Sequence, residues 1–244
     1  MATYTPATPV DHIGHDHKPP MPPVGGGDDG RGADGPNYGA RLRRARLGLI
    51  CGIATVCMVF VSLTSAYIFR RGLPTFDGTV NSYVRDWGAV QFPWLLLVIN
   101  TAVLLVSSMT VEFARRQAAR QAALAPVKSI PGVSLGSERS FPWLGITVVL
   151  GSAFLAGQWL AWGELHRRGF HVDTNPSSSF VFLLTIAHAI HLTGGMVALI
   201  WAASTSLLNR PVEARRIVVD ITAWYWHFMA LLWIYILVLL AVAR

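Results

Sequence analysis

Three histidines lie inside long uncharged stretches of this 244-residue chain: His188 and His191 in "FLLTIAHAIHLTGG", and His227 in "AWYWHFMALLWIYIL". An imidazole there can ligate haem iron, hold a metal ion, pass a proton or hydrogen-bond a neighbouring helix. His188 and His191 are three apart and share a helix face. Asp220 and His227 are seven apart and also share one. Gln158 falls midway along another apolar stretch, while Glu112 and Glu164 fall at the ends of theirs, where water is close. The sequence holds no full metal-ligand set, no Gly-rich phosphate loop and no nucleophile–base pairing.

Four readings of these residues stay open on chemistry alone. An axial haem pair would join His227 to His188 or His191 from a facing helix. A proton relay would run through the histidines and Asp220. A metal site would need the HxxH plus a third ligand. In the fourth, each histidine is a neutral group tying helices together, with the Trp and Tyr beside it doing the same near the membrane interface.

The elements that must position these residues are membrane helices. From Ile221 to Ala243 no residue is charged, and that run at ~1.5 Å per residue spans roughly 34 Å, about the hydrocarbon thickness of a bilayer. Uncharged runs recur at Leu47–Phe69, Pro93–Val111, Phe141–Gly163 and Phe180–Leu208. Only 14% of the residues are charged and mean hydropathy is +0.44, whereas a soluble domain carries about 25% charged residues. The expectation is an all-α integral membrane bundle of five transmembrane helices, at about 47–69, 93–113, 141–165, 180–208 and 217–243. The first run reads as a span, not a cleaved leader, because Arg70 and Arg71 follow it where small residues are expected.

Charge sets the orientation. Lys18, Arg31, Arg41, Arg43, Arg44, Arg46, Arg115, Arg116, Arg120, Lys128, Arg139, Arg210, Arg215 and Arg216 fall on the side of the N-terminus. Only Arg70, Arg71, Arg85, Arg167, Arg168 and Arg244 fall opposite. The positive-inside rule then puts the N-terminus in the cytoplasm and the C-terminus outside. The net charge of +7 is accounted for by topology, with no nucleic-acid partner.

Residues 1–40 are rich in Pro, Gly, His and Asp and read as a disordered cytoplasmic tail, leaving 41–244 as the transmembrane domain. The tail carries His12, His15 and His17 beside Asp11 and Asp16, which read as a metal-binding cluster or a solvated linker. Arg43, Arg44 and Arg46 suit anionic lipid headgroups. Gly48 and Gly52 form a GxxxG expected to mark a close helix contact, and Gly145, Gly151, Ala153 and Gly157 are small residues for packing. Cys51 and Cys57 lie about 240° apart around one helix and read as small apolar residues, not a disulfide.

Four stretches together resemble subunit III of the haem–copper terminal oxidases. "AWYWHFMALLWIYIL" (223–237) is similar to that family's AWYWHFVDVVWLFL, and "FLLTIAHAIHLTGG" (182–195) to FxATGFHGLHVxxG, with His188 and His191 on its histidines. "NTAVLLVSSMTVEFA" (100–114) is similar to NTxxLLxSSxTxxxA. "GSAFLAGQWLAW" (151–162) carries GxxFxxxQ, with Gln158 on the glutamine. The match covers about residues 46–244, in the family's order, with the last five of the seven helices of longer members.

The resemblance implies a subunit with no redox centre of its own, in the bacterial cytoplasmic membrane. It would pack directly on subunit I, which holds haem and copper, within a cytochrome c oxidase. Subunit II, small subunits or a respiratory supercomplex would be further partners. It would bind phospholipid and support stability and proton uptake while the holoenzyme reduces dioxygen to water. Asn100, Gln158, His188, His191, Asp220, Trp224, Tyr225, Trp226 and His227 would then be structural motif residues, with Arg43, Arg44, Arg46, Trp224 and His227 near lipid. The chain departs from the pattern at Ala161 and Ala230, where the family has carboxylates. Nothing from Leu47 to Phe69 is charged, where the family has an acidic residue, and only Asp220 keeps a carboxylate where the family has Glu. The alternatives are a b-type cytochrome membrane anchor holding haem through its histidines, and an accessory subunit of a quinol oxidase or nitric oxide reductase.

Overall fold

In the computed structural model, residues 38–77, 81–84, 92–128, 142–171, 176–207 and 212–242 are described. Five long helices dominate: α1 Tyr38–Gly72, α2 Trp94–Lys128, α3 Trp143–Arg167, α4 Pro176–Leu207 and α5 Val212–Val242. All five are long and apolar enough to cross a membrane, as the uncharged runs require. A short antiparallel hairpin, β1 Thr75–Asp77 with β2 Ser82–Val84, lies between α1 and α2. Asn81 enters its second strand with φ +50°, a left-handed conformation that Asn tolerates.

The helices outrun the apolar stretches. α1 begins at Tyr38 and takes in the basic run 41–46, while α2 continues through Arg115, Arg116 and Arg120 to Lys128. Charge excludes a residue from hydrocarbon, not from a helix, and Arg, Gln, Ala and Lys are strong helix formers. The expectation of a loop after Phe113 is therefore corrected in its first half. The tail assignment for 1–37, including the histidine cluster, lies outside the described residues.

Each helix buries one narrow stripe and exposes apolar side chains elsewhere, the reverse of a soluble bundle. On α1 the stripe is Val56, Phe60, Thr64 and Tyr67, while Leu47, Met58, Val61 and Phe69 are exposed. On α3 it is Thr147, Gly151, Phe154, Gln158, Ala161 and Leu165, steps of three and four that follow the 3.6-residue period. α2 packs on α3 and α5, α4 on α5 and α3, and α1 reaches only α5 and α4 among the described residues. Lipid tails are as apolar as leucine, so close packing and internal hydrogen bonds must hold the helices together.

Glycine decides where that packing is closest. A Cβ on Gly151 would sit 2.5 Å from Met196 Sδ and 2.9 Å from Trp226 Cη2, and one on Gly157 would sit 2.3 Å from Asn100 Oδ1. These positions let α3 take the Trp226 ring of α5 and the Met196 side chain of α4 against its backbone, and lie close to Asn100 of α2. The GxxxG of α1 does not behave this way: a Cβ on Gly48 or Gly52 meets nothing within 4 Å. The spacing predicts a contact there that no described residue makes.

α3 ends in a Schellman turn. The Gly169 N–H donates to His166 O at 3.0 Å, the Phe170 N–H donates to Leu165 O at 3.0 Å, and Gly169 takes φ +85°. The two otherwise orphaned carbonyls are satisfied by the reversing chain.

Gly157→Ala is expected to lower stability by about 1–3 kcal/mol through overpacking against Asn100. Gly48→Ala should be neutral or stabilising by up to ~1 kcal/mol, because only helix propensity changes. Thermal unfolding midpoints in detergent compare the two directly.

Candidate functional site

α5 carries most of the side-chain donors that cross between helices. Trp226 Nε1 donates to Ser107 Oγ of α2 at 3.0 Å, and Trp233 Nε1 donates to Thr101 Oγ1 of α2 at 3.0 Å. Tyr225 OH donates to the His191 carbonyl of α4 at 3.0 Å, and Tyr235 OH to Thr64 Oγ1 of α1 at 3.0 Å. Trp226 and Trp233 are seven apart, so one face of α5 presents both indoles to α2. Burying each ring while its N–H finds a partner is what makes Trp useful at a helix interface.

At the end of the bundle bearing Arg46 and Asp220, charge replaces indole. Asp220, with a side chain only 13% exposed, receives Arg46 Nη2 of α1 at 3.0 Å and Arg115 Nη1 of α2 at 3.3 Å. Arg115 also donates from Nε to Glu112 at 2.7 Å, and Arg116 Nε donates to the same carboxylate at 2.8 Å. Beyond them, Arg215 of α5 donates to Gln121 of α2. Two carboxylates and three guanidiniums thus form one network across α1, α2 and α5.

His227 sits at its inner edge. Its Nδ1 lies 2.5 Å from Ser108 Oγ and its Nε2 lies 3.6 Å from Glu112 Oε2. With Leu105, Met109, Phe113 and Arg116 these groups line an open groove between α2 and α5. Asp220 and His227 share a face of α5 but have different partners. Asp220 turns to the arginines and His227 turns to α2. Glu112 and Ser108 are the partners that sequence reasoning passed over. The available signal was Glu112 placed three and four residues before Arg115 and Arg116, the spacing of helical ion pairs.

The other histidines occupy different surroundings. His188 is 1% exposed, with Trp233 at 5.2 Å and Phe154 at 6.3 Å between ring centres. Neither of its ring nitrogens meets a hydrogen-bond partner among the described residues, so it acts here as an aromatic packing group and not as a tie. His191 turns Nδ1 to Ala187 O, 2.7 Å away on its own helix, and its ring meets the Phe60 ring at 5.9 Å. The structure thus gives His227 neighbours on α2, and His188 neighbours on α3 and α5.

Asn100 and Gln158 are buried at 4% and 3% exposure. Asn100 packs under Gly157, and Gln158 lines a small apolar cavity with Trp162, Thr185 and Trp233. Trp224 is exposed, with the Arg115 guanidinium 6.0 Å from its ring centre. Arg43 and Arg44 lie exposed on α1, and Arg46 is half-exposed and committed to Asp220.

These ties join the four matched stretches to one another: Asn100 with Gly157, Ser107 with Trp226, and His191 with Tyr225. Comparison with known proteins decides what the arrangement belongs to. Cytochrome c oxidase subunit 3 of Corynebacterium diphtheriae is 25% identical over 194 residues, covering 80% of this chain and 85% of that protein. The chain is a homologue of cytochrome c oxidase subunit 3. The wheat (Triticum aestivum) subunit 3 is 26% identical over 79% of this chain and 66% of its own length. The locust (Locusta migratoria) protein is 23% identical over 78% of this chain and 66% of its own length. No family model matches the chain. The subunit 3 homologue is a multi-pass membrane protein whose relatives belong to an oxidoreductase complex, and Asn100, Ser107, Gln158 and His188 of the matched stretches lie in its buried polar interior.

Asp220→Asn is expected to destabilise the fold by roughly 1–3 kcal/mol, since it removes the negative charge and leaves a single acceptor oxygen for two guanidiniums in a largely buried position. Arg46→Ala should cost under about 1 kcal/mol, because that partner is half in solvent. Unfolding midpoints of the two variants and of the double variant measure the coupling between them.

Proposed function

We propose that this chain is subunit III of a haem–copper oxidase of the cytochrome c oxidase type, packed directly on the catalytic subunit I in a bacterial cytoplasmic membrane. The observation that carries the reading is similarity to subunit 3 proteins over 80% of the chain, in which Asn100, Ser107, Gln158 and His188 of the matched stretches are buried. In this reading the haems and copper that reduce dioxygen reside in partner subunits. This chain contributes scaffolding, lipid contact and support for proton uptake.

The orientation follows from charge. The Arg46–Asp220–Arg115–Glu112–Arg116 network occupies the end that the positive-inside rule assigns to the cytoplasm. Anchored there, it ties α1 to the α2–α5 pair at the headgroup level, with Arg43, Arg44 and Trp224 turned toward lipid. Scaffolding explains the geometry better than electron transfer does. His188 is enclosed by two aromatic rings and His227 is engaged with Ser108, whereas a haem needs two imidazoles facing one another across a cavity.

The test is a mild-detergent purification through this chain, with mass spectrometry and a reduced-minus-oxidised spectrum. Co-purification of a haem-bearing and a copper-bearing subunit is expected, and their sequences name cytochrome c or quinol as the donor. Recovery of the chain alone with stoichiometric haem overturns the proposal. His227→Leu should lower the yield and thermal midpoint of the complex while leaving haem per subunit I unchanged.

A further inference from the structure

α5 is held from two sides. His227 Nδ1 lies 2.5 Å from Ser108 Oγ of α2, and Tyr235 OH donates to Thr64 Oγ1 of α1 at 3.0 Å. The two residues are eight apart, about 80° around the helix at 3.6 residues per turn. Leu231 lies midway between them, and it is 67% exposed. Among the described residues, α1 and α2 make no close backbone approach to one another. Asp220 of α5, holding Arg46 and Arg115, joins them at one end. A valley therefore runs along the bundle, with α5 as its floor and α1 and α2 as its walls. Ser108, Met109, Glu112 and His227 line a groove against one wall, and Val61, Ile68 and Tyr235 line a groove against the other.

We infer that this valley seats one transmembrane helix of a partner polypeptide, an apolar helix that carries a hydrogen-bonding side chain at the depth of His227. The inference rests on the subunit reading above and deepens it, naming the face through which the chain joins its complex. Three observations support it.

The first is depth. His227 lies six residues inside the uncharged run that begins at Ile221, roughly 9 Å along the helix. Its side chain is 35% exposed, and Nε2 stands 3.6 Å from Glu112, longer than a hydrogen bond. Acyl chains have no group to offer that nitrogen, and ionisable residues at membrane depth face protein or water. A helix in the valley can supply a hydroxyl or amide there.

The second is coverage. Only 17% of the most apolar window of α1 is buried, against 28% to 39% for the other four helices. Helices in lipid are held by close packing, and α1 reaches only α5 and α4 among the described residues. A helix in the valley gives it a further neighbour. The third is supply. Within these 244 residues no apolar run of about 20 residues, the length a spanning helix needs, remains outside the five helices.

The experiment places the photocrosslinker p-benzoylphenylalanine at Met109 on one wall or at Leu231 on the floor, both exposed, in the complex purified through this chain. Mass spectrometry identifies what each position captures. Both positions are expected to mark the same transmembrane segment of one co-purifying subunit. Capture of lipid alone, of a second copy of this chain, or of different proteins from the two positions overturns the inference and leaves the subunit reading in place. Purification of the chain with no other subunit overturns both. The crosslink from Leu231 should weaken severalfold in His227→Leu and persist in His227→Gln, which keeps a hydrogen-bonding group. Equal yields in those two variants remove the polar contact from the inferred interface.

Discussion

A side-chain donor placed in hydrocarbon has only the protein to supply its acceptor. In this chain the donors that find one across a helix interface lie largely on α5, while His188 and the Asn100 amide nitrogen meet none among the described residues. Water cannot satisfy Trp226, Trp233 or Tyr235 at membrane depth, so each indole or phenol reaches a hydroxyl on α1 or α2. The bonds are modest singly, on the order of 1 kcal/mol in membrane proteins. Their value lies in direction. A donor at the end of a rigid ring accepts only one rotation of the neighbouring helix. Removing α5 would leave α1 with only its contacts to α4 among the described residues.

Close approach and hydrogen bonding are coupled in this interior. Trp226 reaches Ser107 because Gly151 of α3 yields the space its ring occupies, and Tyr225 reaches the His191 carbonyl beside Gly195, where a Cβ would sit 3.0 Å from its ring. Small residues do what a hydrophobic drive does in water: they allow enough contact area for dispersion to outweigh lipid packing. Where no described residue approaches, as at Gly48 and Gly52, the same spacing orders no contact.

The charged end obeys a different balance. Five ionic groups share one network near the headgroups, where salt and water weaken each pair. Asp220 is the most enclosed of the acids, with Arg46 and Arg115 on either side, while Glu112 neutralises Arg115 and Arg116 and borders His227. The network sets how α1 meets the α2–α5 pair at one membrane surface.

Span number, the apolar limits of each helix and the family resemblance were legible in the sequence alone. Each follows from a local rule: charge is excluded from hydrocarbon, and a motif is a string. The extension of α2 past Phe113 was not legible, because hydropathy marks where lipid ends and not where a helix ends. Nor were the partners of the polar residues. The i, i+7 relation of Asp220 and His227 is real, yet three-dimensional packing gives Asp220 to Arg46 and Arg115, and His227 to Ser108 and Glu112. His188 shares a motif with His191 but stands between two aromatic rings, with no hydrogen bond to a described residue. Sequence spacing determines which face of its own helix a residue occupies. Only the rotation and depth of the neighbouring helices decide what that face meets.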